Sequence, residues 1–159
     1  VVNINIVAGG VPAFTRDINT GGNVYTEEIQ KALSISWEEA ERLKIGGTSE
    51  EDSQEVVPQE VEHAMRSVTD TVLGEISRSL DFFAATAAES RINRVFLSGG
   101  GSKVSGLDTA FQGKTNLPVE RFDPLAKVIP SSRFEAEYLE EVGPALGVSV
   151  GLALRRVDD

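Results

Sequence analysis

Arg94-Val95-Phe96-Leu97-Ser98-Gly99-Gly100-Gly101-Ser102-Lys103-Val104-Ser105-Gly106-Leu107 carries three signals in one short stretch. An apolar run reads as a buried strand, three glycines stop it, and a serine then opens an amphipathic helical stretch. Glycine has no Cβ, so backbone at 99–101 can lie against a ligand, and a helix start points free N–H groups toward it. The combination suits a nucleotide better than a metal or a peptide. Strand–glycine–helix turns also serve packing alone in α/β proteins, so both readings stand at this point.

Working outward, Val2, Ile4 and Ile6 alternate with Asn3 and Asn5 as a strand does, and Ala8-Gly9-Gly10 supplies turn chemistry. Residues 11–18 return as a second strand, where Pro12 fits an edge or first-residue position. Asn19-Thr20-Gly21-Gly22-Asn23 leads into a helix holding Ile29 and Leu33. Ser36 caps a short helix over 37–45, with Glu38 and Glu39 in the first turn, where the helix dipole favours negative charge. Gly46-Gly47 ends it, and residues 48–55 read as an acidic surface loop. Pro58 suits the first turn of a long helix whose positions Val61, Met65, Val68, Val72, Ile76, Leu80, Phe83 and Ala87 share one apolar face. Residues 91–97 form the strand into the glycines, and Ser102 or Ser105 starts a helix through Phe111. A short strand over 117–119 follows, then helices over 134–142 and 144–156. Gly143, Gly147 and Gly151 recur at four-residue intervals, which points to close packing against a sheet or neighbouring helix.

The totals narrow the function classes. At 159 residues, 40% of them hydrophobic, the chain can bury the core of one domain or two small lobes. Its net charge of −10 argues against nucleic acid, which needs clustered Lys and Arg. The acidity is concentrated in residues 1–80, with 6 basic and 14 acidic side chains against 9 and 11 in the remainder. No cysteine and a single histidine, His63, leave no material for disulfides, zinc sites or Cys/His catalysis. No apolar run approaches the ~20 residues that span a bilayer, and no signal peptide is visible. The only methionine is Met65 and the chain opens directly on a strand, so one lobe of something larger is expected.

Two phosphate-loop templates fail. The dinucleotide fingerprint would need glycine where Val104 stands, and the Walker A loop ending Gly113-Lys114-Thr115 would need glycine at Asp108. Ala40-Glu41-x-x-Lys44 survives, with Glu41 and Lys44 on one helical face. It reads as a solvated ion pair, or as a polar clamp in which the carboxylate accepts from ribose hydroxyls and the ammonium lies along the nucleoside. His63 reads as an exposed residue on an acidic helix face, and no carboxylate pair stands out as an acid/base dyad.

In order, the hairpin, the Gly21-Gly22-Asn23 helix start, Ala40-Glu41-Arg42-Leu43-Lys44, the long helix and Val95-Phe96-Leu97-Ser98-Gly99-Gly100-Gly101-Ser102 resemble the second domain of actin-like ATPases of the MreB and FtsA kind. Thr15-Arg16-Asp17-Ile18, Phe122-Asp123-Pro124-Leu125 and the ending Gly143-Pro144-Ala145-Leu146-Gly147-Val148 to Arg155 look closest to the PilM family of type IV pilus assembly. The resemblance implies an α/β, ribonuclease H-like actin-type lobe, incomplete without its N-terminal domain. Residues 1–22 and 88–159 would form the sheet-bearing subdomain 2A, and 23–87 a helical insertion, subdomain 2B. It implies nucleoside contacts from Glu41, Lys44, Gly99, Gly100, Gly101, Ser102 and Lys103, with no catalytic residue in this piece.

In that family, phosphates and magnesium lie between two Asp-x-Gly hairpins, one per domain. The second domain's hairpin is expected just upstream of Asn3, beyond these residues. Full-length protein is therefore expected to bind ATP and magnesium, and to be at most a slow ATPase. This piece would keep only the nucleoside half. A few hydrogen bonds at ~1 kcal/mol each give millimolar affinity at best. The resemblance further implies a cytoplasmic scaffold held at the inner membrane by a partner, the cytoplasmic N-terminal tail of PilN, bound mainly through the other domain. Other pilus-assembly proteins are expected partners, without direct membrane insertion. The apolar strand at Val1 to Ile6 could support self-association. An FtsA- or MreB-like filament protein, or a metabolic kinase on the same fold, is the alternative.

Overall fold

The computed structural model describes residues 1–45, 59–87 and 91–155. Expectations placed on Gly46-Gly47, the 48–55 loop, Pro58 and residues 156–159 lie outside the described residues.

The chain opens with an antiparallel hairpin, β1 (Val2–Ala8) and β2 (Val11–Ile18). Gly9 and Gly10 carry φ of +58° and +83°, the two positive values that a tight hairpin turn of the I′ type needs and that side chains resist. The register runs from Val2 opposite Ile18 to Ile6 opposite Phe14, then slips so that Val7 faces Pro12. The slip places a bulge beside the one residue lacking an N–H. Alternation sorts the faces. Ile4 and Ile18 are buried, while Asn3 bonds to Asp17 (2.6 Å) and Thr15 to Asn5 (3.0 Å) on the exposed face.

Helix α1 (Gly22–Leu33) follows, and Ser34 in the left-handed conformation ends it. Helix α2 (Trp37–Lys44) begins with a full capping box: Ser36 Oγ accepts from the Glu39 N–H, and the Glu39 carboxylate accepts from the Ser36 N–H. The 28-residue α3 (Gln59–Thr86) buries Val61, Val68, Val72, Ile76 and Phe83 of its expected apolar face, and His63 is exposed. Its N-terminal turns join Ile29 of α1 and Ala40 of α2 in one buried cluster. Further along, Val68, Val72 and Ile76 belong to a larger cluster with Ile4, Ile18, Tyr25, Val104 and Phe111.

Strand β3 (Val95–Leu97) pairs in parallel with β4 (Val119–Arg121), and the two hairpin strands form a separate sheet. Both strands differ from their expected bounds because ladder bonds, not apolarity, delimit a strand. Pro118 offers only its carbonyl, which accepts from the Val95 N–H (2.9 Å), so β4 begins after it. Residues 91–94, expected in the strand, have no ladder partner among the described residues. The helix expected to start at Ser102 or Ser105 starts later. Residues 100–103 form a 3₁₀ turn, Gly106 takes φ +73°, and α4 runs Leu107–Thr115. Ser102 Oγ donates to the Gly99 carbonyl (2.7 Å) and so closes the glycine turn instead of capping a helix. The C-terminal region holds α5 (Ala136–Val142), a 3₁₀ turn at Gly143–Leu146 and α6 (Gly147–Leu154). Among the described residues no helix is long and apolar enough to cross a membrane.

Of the three spaced glycines only Gly147 shows the tight approach expected of the set. A Cβ there would stand 2.8 Å from Ser98 Oγ and 3.7 Å from the Phe122 ring, whereas Gly143 and Gly151 have open space at that position.

Candidate functional site

β3 delivers the chain to Gly99, whose φ of +86° is glycine territory. The Gly99 N–H donates to the Pro144 carbonyl (2.6 Å), which ties the loop to the C-terminal region. Gly100 and Gly101 have nothing within 4 Å of where a Cβ would lie. Their glycine identity is not forced by packing, and it leaves bare backbone facing a cleft of about 560 Å³.

That cleft lies over Val72 and Ile76 of α3 and Leu107 and Phe111 of α4 and brings together four further parts of the chain. The glycine turn from Leu97 to Ser102 forms one wall, and Gly21, Gly22 and Tyr25 at the start of α1 form another. Val1, Val2, Asn3 and Asn5 of the hairpin line it as well, with Phe122, Ala145, Gly147 and Val148 on the C-terminal side. Gly21 is required by contact, since a Cβ there would sit 2.5 Å from the Val1 nitrogen. Among these lining side chains none is charged at neutral pH. Tyr25 is the one that titrates; burial pushes its phenol upward, partly offset by its hydrogen bond with Thr69 (3.1 Å).

Glu41 and Lys44 stand behind Gly22. Lys44 Nζ donates to both Glu41 oxygens (2.6 and 2.7 Å) and to Thr26 Oγ1 (3.1 Å), while the Thr26 hydroxyl donates to Glu41 (2.6 Å). Lys44 is only 10% exposed and Glu41 is 40% exposed. Partial burial works to raise the Glu41 pKa, but hydrogen bonds from Lys44 and Thr26 and the Lys44 charge outweigh it, so the carboxyl is held below its ordinary value. Lys44 Nζ lies 3.8 Å from where a Cβ on Gly22 would be, so the pair backs the wall of the cleft without lining it.

A family model described as type IV pilus assembly protein PilM matches residues 1–157. The chain belongs to the PilM family. A chain of a solved PilM-PilN type IV pilus biogenesis complex superposes with a TM-score of 0.78 at 28% identity, over 96% of this chain. This PilM-family chain spans 42% of the length of that one. The α/β, actin-type lobe expected from the sequence is the fold that the match shows.

Within this family frame the seven sequence-derived residues divide. Gly99, Gly100, Gly101 and Ser102 line the cleft, though the Ser102 side chain is buried in its own turn. Glu41 and Lys44 adjoin it through Gly22, bound to each other and to Thr26. Lys103 is exposed and does not line it. The sequence marks Gly21, Gly22 and Phe122 as family motifs without assigning them to the site, and it gives no sign of Thr26. Two adjacent glycines at a helix start carry the same signal as residues 99–101, but Thr26 and Phe122 are brought in only by the tertiary fold.

Proposed function

We propose that this chain is the nucleoside-holding half of an ATP-binding, actin-like scaffold for type IV pilus assembly. The observation that carries the reading is the juxtaposition of two bare-backbone walls, Gly99–Gly101 and Gly21–Gly22, across a cleft without charged lining side chains. Such a cleft suits a ribose and a purine. A triphosphate needs cationic or metal partners, and among the described residues no three carboxylate or histidine side chains gather to hold a metal. Glu41 and Lys44 act here as a neutral, rigid backing for Gly22, from which the Glu41 carboxylate, partly exposed, can accept from a sugar hydroxyl.

In the longer protein, ATP and magnesium are held jointly with the other domain, and their occupancy sets the angle between lobes. That angle would govern binding of the cytoplasmic tail of a partner like PilN, the protein named with PilM in the matched complex, and so the protein's place at the inner face of the membrane. Calorimetry tests the half-site reading. The chain should bind adenosine and ATP equally weakly, in the millimolar range expected of a few hydrogen bonds, and Gly100→Val should abolish both while leaving the fold intact. Submicromolar ATP binding by this chain, or unaltered nucleotide binding by Gly100→Val in the full-length protein, overturns it.

A further inference from the structure

Thr26 joins the two helices around the candidate ribose contact. It stands one turn after Gly22 on the same face of α1, and it is fully buried. A threonine inside a helix ordinarily turns its hydroxyl back onto its own backbone; this one reaches α2. There it accepts from Lys44 Nζ (3.1 Å) and donates to Glu41 Oε2 (2.6 Å). Lys44 Nζ also donates to Glu41 Oε1 (2.6 Å) and Oε2 (2.7 Å). An ammonium has three N–H groups and no lone pair, so these contacts use every proton that Lys44 can give. On the carboxylate, Oε2 accepts from both Thr26 and Lys44, while Oε1 accepts from Lys44 alone among the described residues.

Resting on the nucleoside reading above, we propose that Thr26 is the positioning residue of the ribose corner and that Lys44 makes no hydrogen bond to the nucleoside. By filling Oε2 and the third N–H of Lys44, Thr26 leaves Glu41 with one open acceptor, Oε1. The carboxylate cannot turn about its last bond without breaking the hydrogen bonds that hold Oε2. An ionised carboxylate accepts and cannot donate. The corner therefore selects a ligand with a hydroxyl proton to give at one sugar position, a ribonucleoside over the analogue deoxygenated there.

Two further features agree. Gly22 lacks a Cβ where Lys44 Nζ approaches to 3.8 Å, so the cluster lies directly behind the cleft wall. Lys44 is nearly buried and Thr26 fully so, whereas Glu41 is partly exposed, and of the three it is the carboxylate that stays open to a ligand. The resemblance in sequence assigns Glu41 and Lys44 alike to the nucleoside; the hydrogen bonds separate them into a contact and its holder.

Calorimetry on the full-length protein tests this, with ATP, the analogues lacking one or the other ribose hydroxyl, and the matching fluoro analogues. One deoxy analogue should bind about tenfold weaker or more, the loss expected for a hydrogen bond to a charged acceptor. The fluoro analogue at the same carbon, close in size but without a proton, should be equally weak. Thr26→Val should shrink that penalty to about threefold or less, and Thr26→Ser, which keeps the hydroxyl, should restore it. A merely structural link between α1 and α2 would lower stability in Thr26→Val and leave the penalty unchanged. A fluoro analogue that binds tighter than its deoxy counterpart overturns the assignment, because it can accept from Lys44 but cannot donate to Glu41. Equal binding of ATP and both deoxy analogues does so too, as does a parental penalty in Thr26→Val. If Thr26→Val fails to fold, the fluoro comparison on the parent decides alone. Absence of ATP binding by the full-length protein would overturn the nucleoside reading and this assignment together, whereas the other outcomes leave that reading standing.

Discussion

Glu41→Ala would ordinarily be chosen to remove a ribose contact with the fold intact, but its neighbourhood predicts a structural cost. The substitution leaves the Lys44 ammonium, 10% exposed, with the Thr26 hydroxyl as its one remaining hydrogen-bond partner among the described residues. Breaking a fully buried ion pair costs about 3–5 kcal/mol and breaking an exposed one about 0–1. Because Glu41 is 40% exposed, solvent screens the pair and the expected loss is intermediate, about 2 kcal/mol. Lys44→Met should cost less, about 1 kcal/mol, since its aliphatic chain still fills the space and the stranded carboxylate can hydrate. Glu41→Gln keeps an acceptor for Lys44 and Thr26 and is the better probe of binding. In thermal melts the Glu41→Ala loss corresponds to about 4–8 °C, and a double-mutant cycle with Lys44→Met should return a coupling of about 1 kcal/mol. A Glu41→Ala protein within about 0.5 kcal/mol of the parent, or Lys44→Met as the more damaging single change, would refute the reasoning.

The same carboxyl also sets a pH dependence, and contacts elsewhere in the molecule set the remaining outcomes. The Glu41 carboxyl is held below its ordinary value, so the stability gap between parent and Lys44→Met should be complete above about pH 4.3, the unfolded carboxyl value. It should close as pH falls through the lower folded value, which urea midpoints between pH 7 and 3, roughly the carboxylate range, would show. Gly99→Ala forces a Cβ onto φ +86° and should cost about 1–2 kcal/mol, whereas Gly100→Ala, in open space, should change urea stability little. Gly147→Val presses on Ser98 and Phe122 and should destabilise by about 1–3 kcal/mol. Gly151→Ala in the same helix meets nothing and should stabilise by up to about 1 kcal/mol, both read from chemical denaturation. Ser36→Ala removes half the capping box and should lower stability by about 1 kcal/mol in the same assay.

What could be read from sequence was local or periodic. The Gly9-Gly10 turn, the Ser36 cap and the apolar face of α3 depend on neighbours a few positions apart, and each is where the pattern puts it. The glycine run was legible as an opening in the backbone for the same reason. Misplacements arose where a distant partner decides. Pro118 shifts β4, the missing ladder shortens β3, and Ser102 turns inward onto Gly99 when a cap was expected. Thr26, which holds Glu41 and Lys44 together from another helix, has no mark in the sequence at all. Of the evenly spaced Gly143, Gly147 and Gly151, Gly143 is buried with room for a Cβ, Gly147 alone has none, and Gly151 is exposed.

The neutrality of the cleft has a consequence for capture kinetics and solution conditions. Lys44 is paired with Glu41, the side chains along the walls are uncharged, and a nucleoside carries no charge of its own, so Coulomb attraction does not steer it inward. Added counter-ions then have almost nothing to screen, so adenosine association with this chain should hardly vary as ionic strength climbs from about 0.01 to 1 M. Any steep salt sensitivity found for ATP in the longer protein belongs to the groups that meet its phosphates.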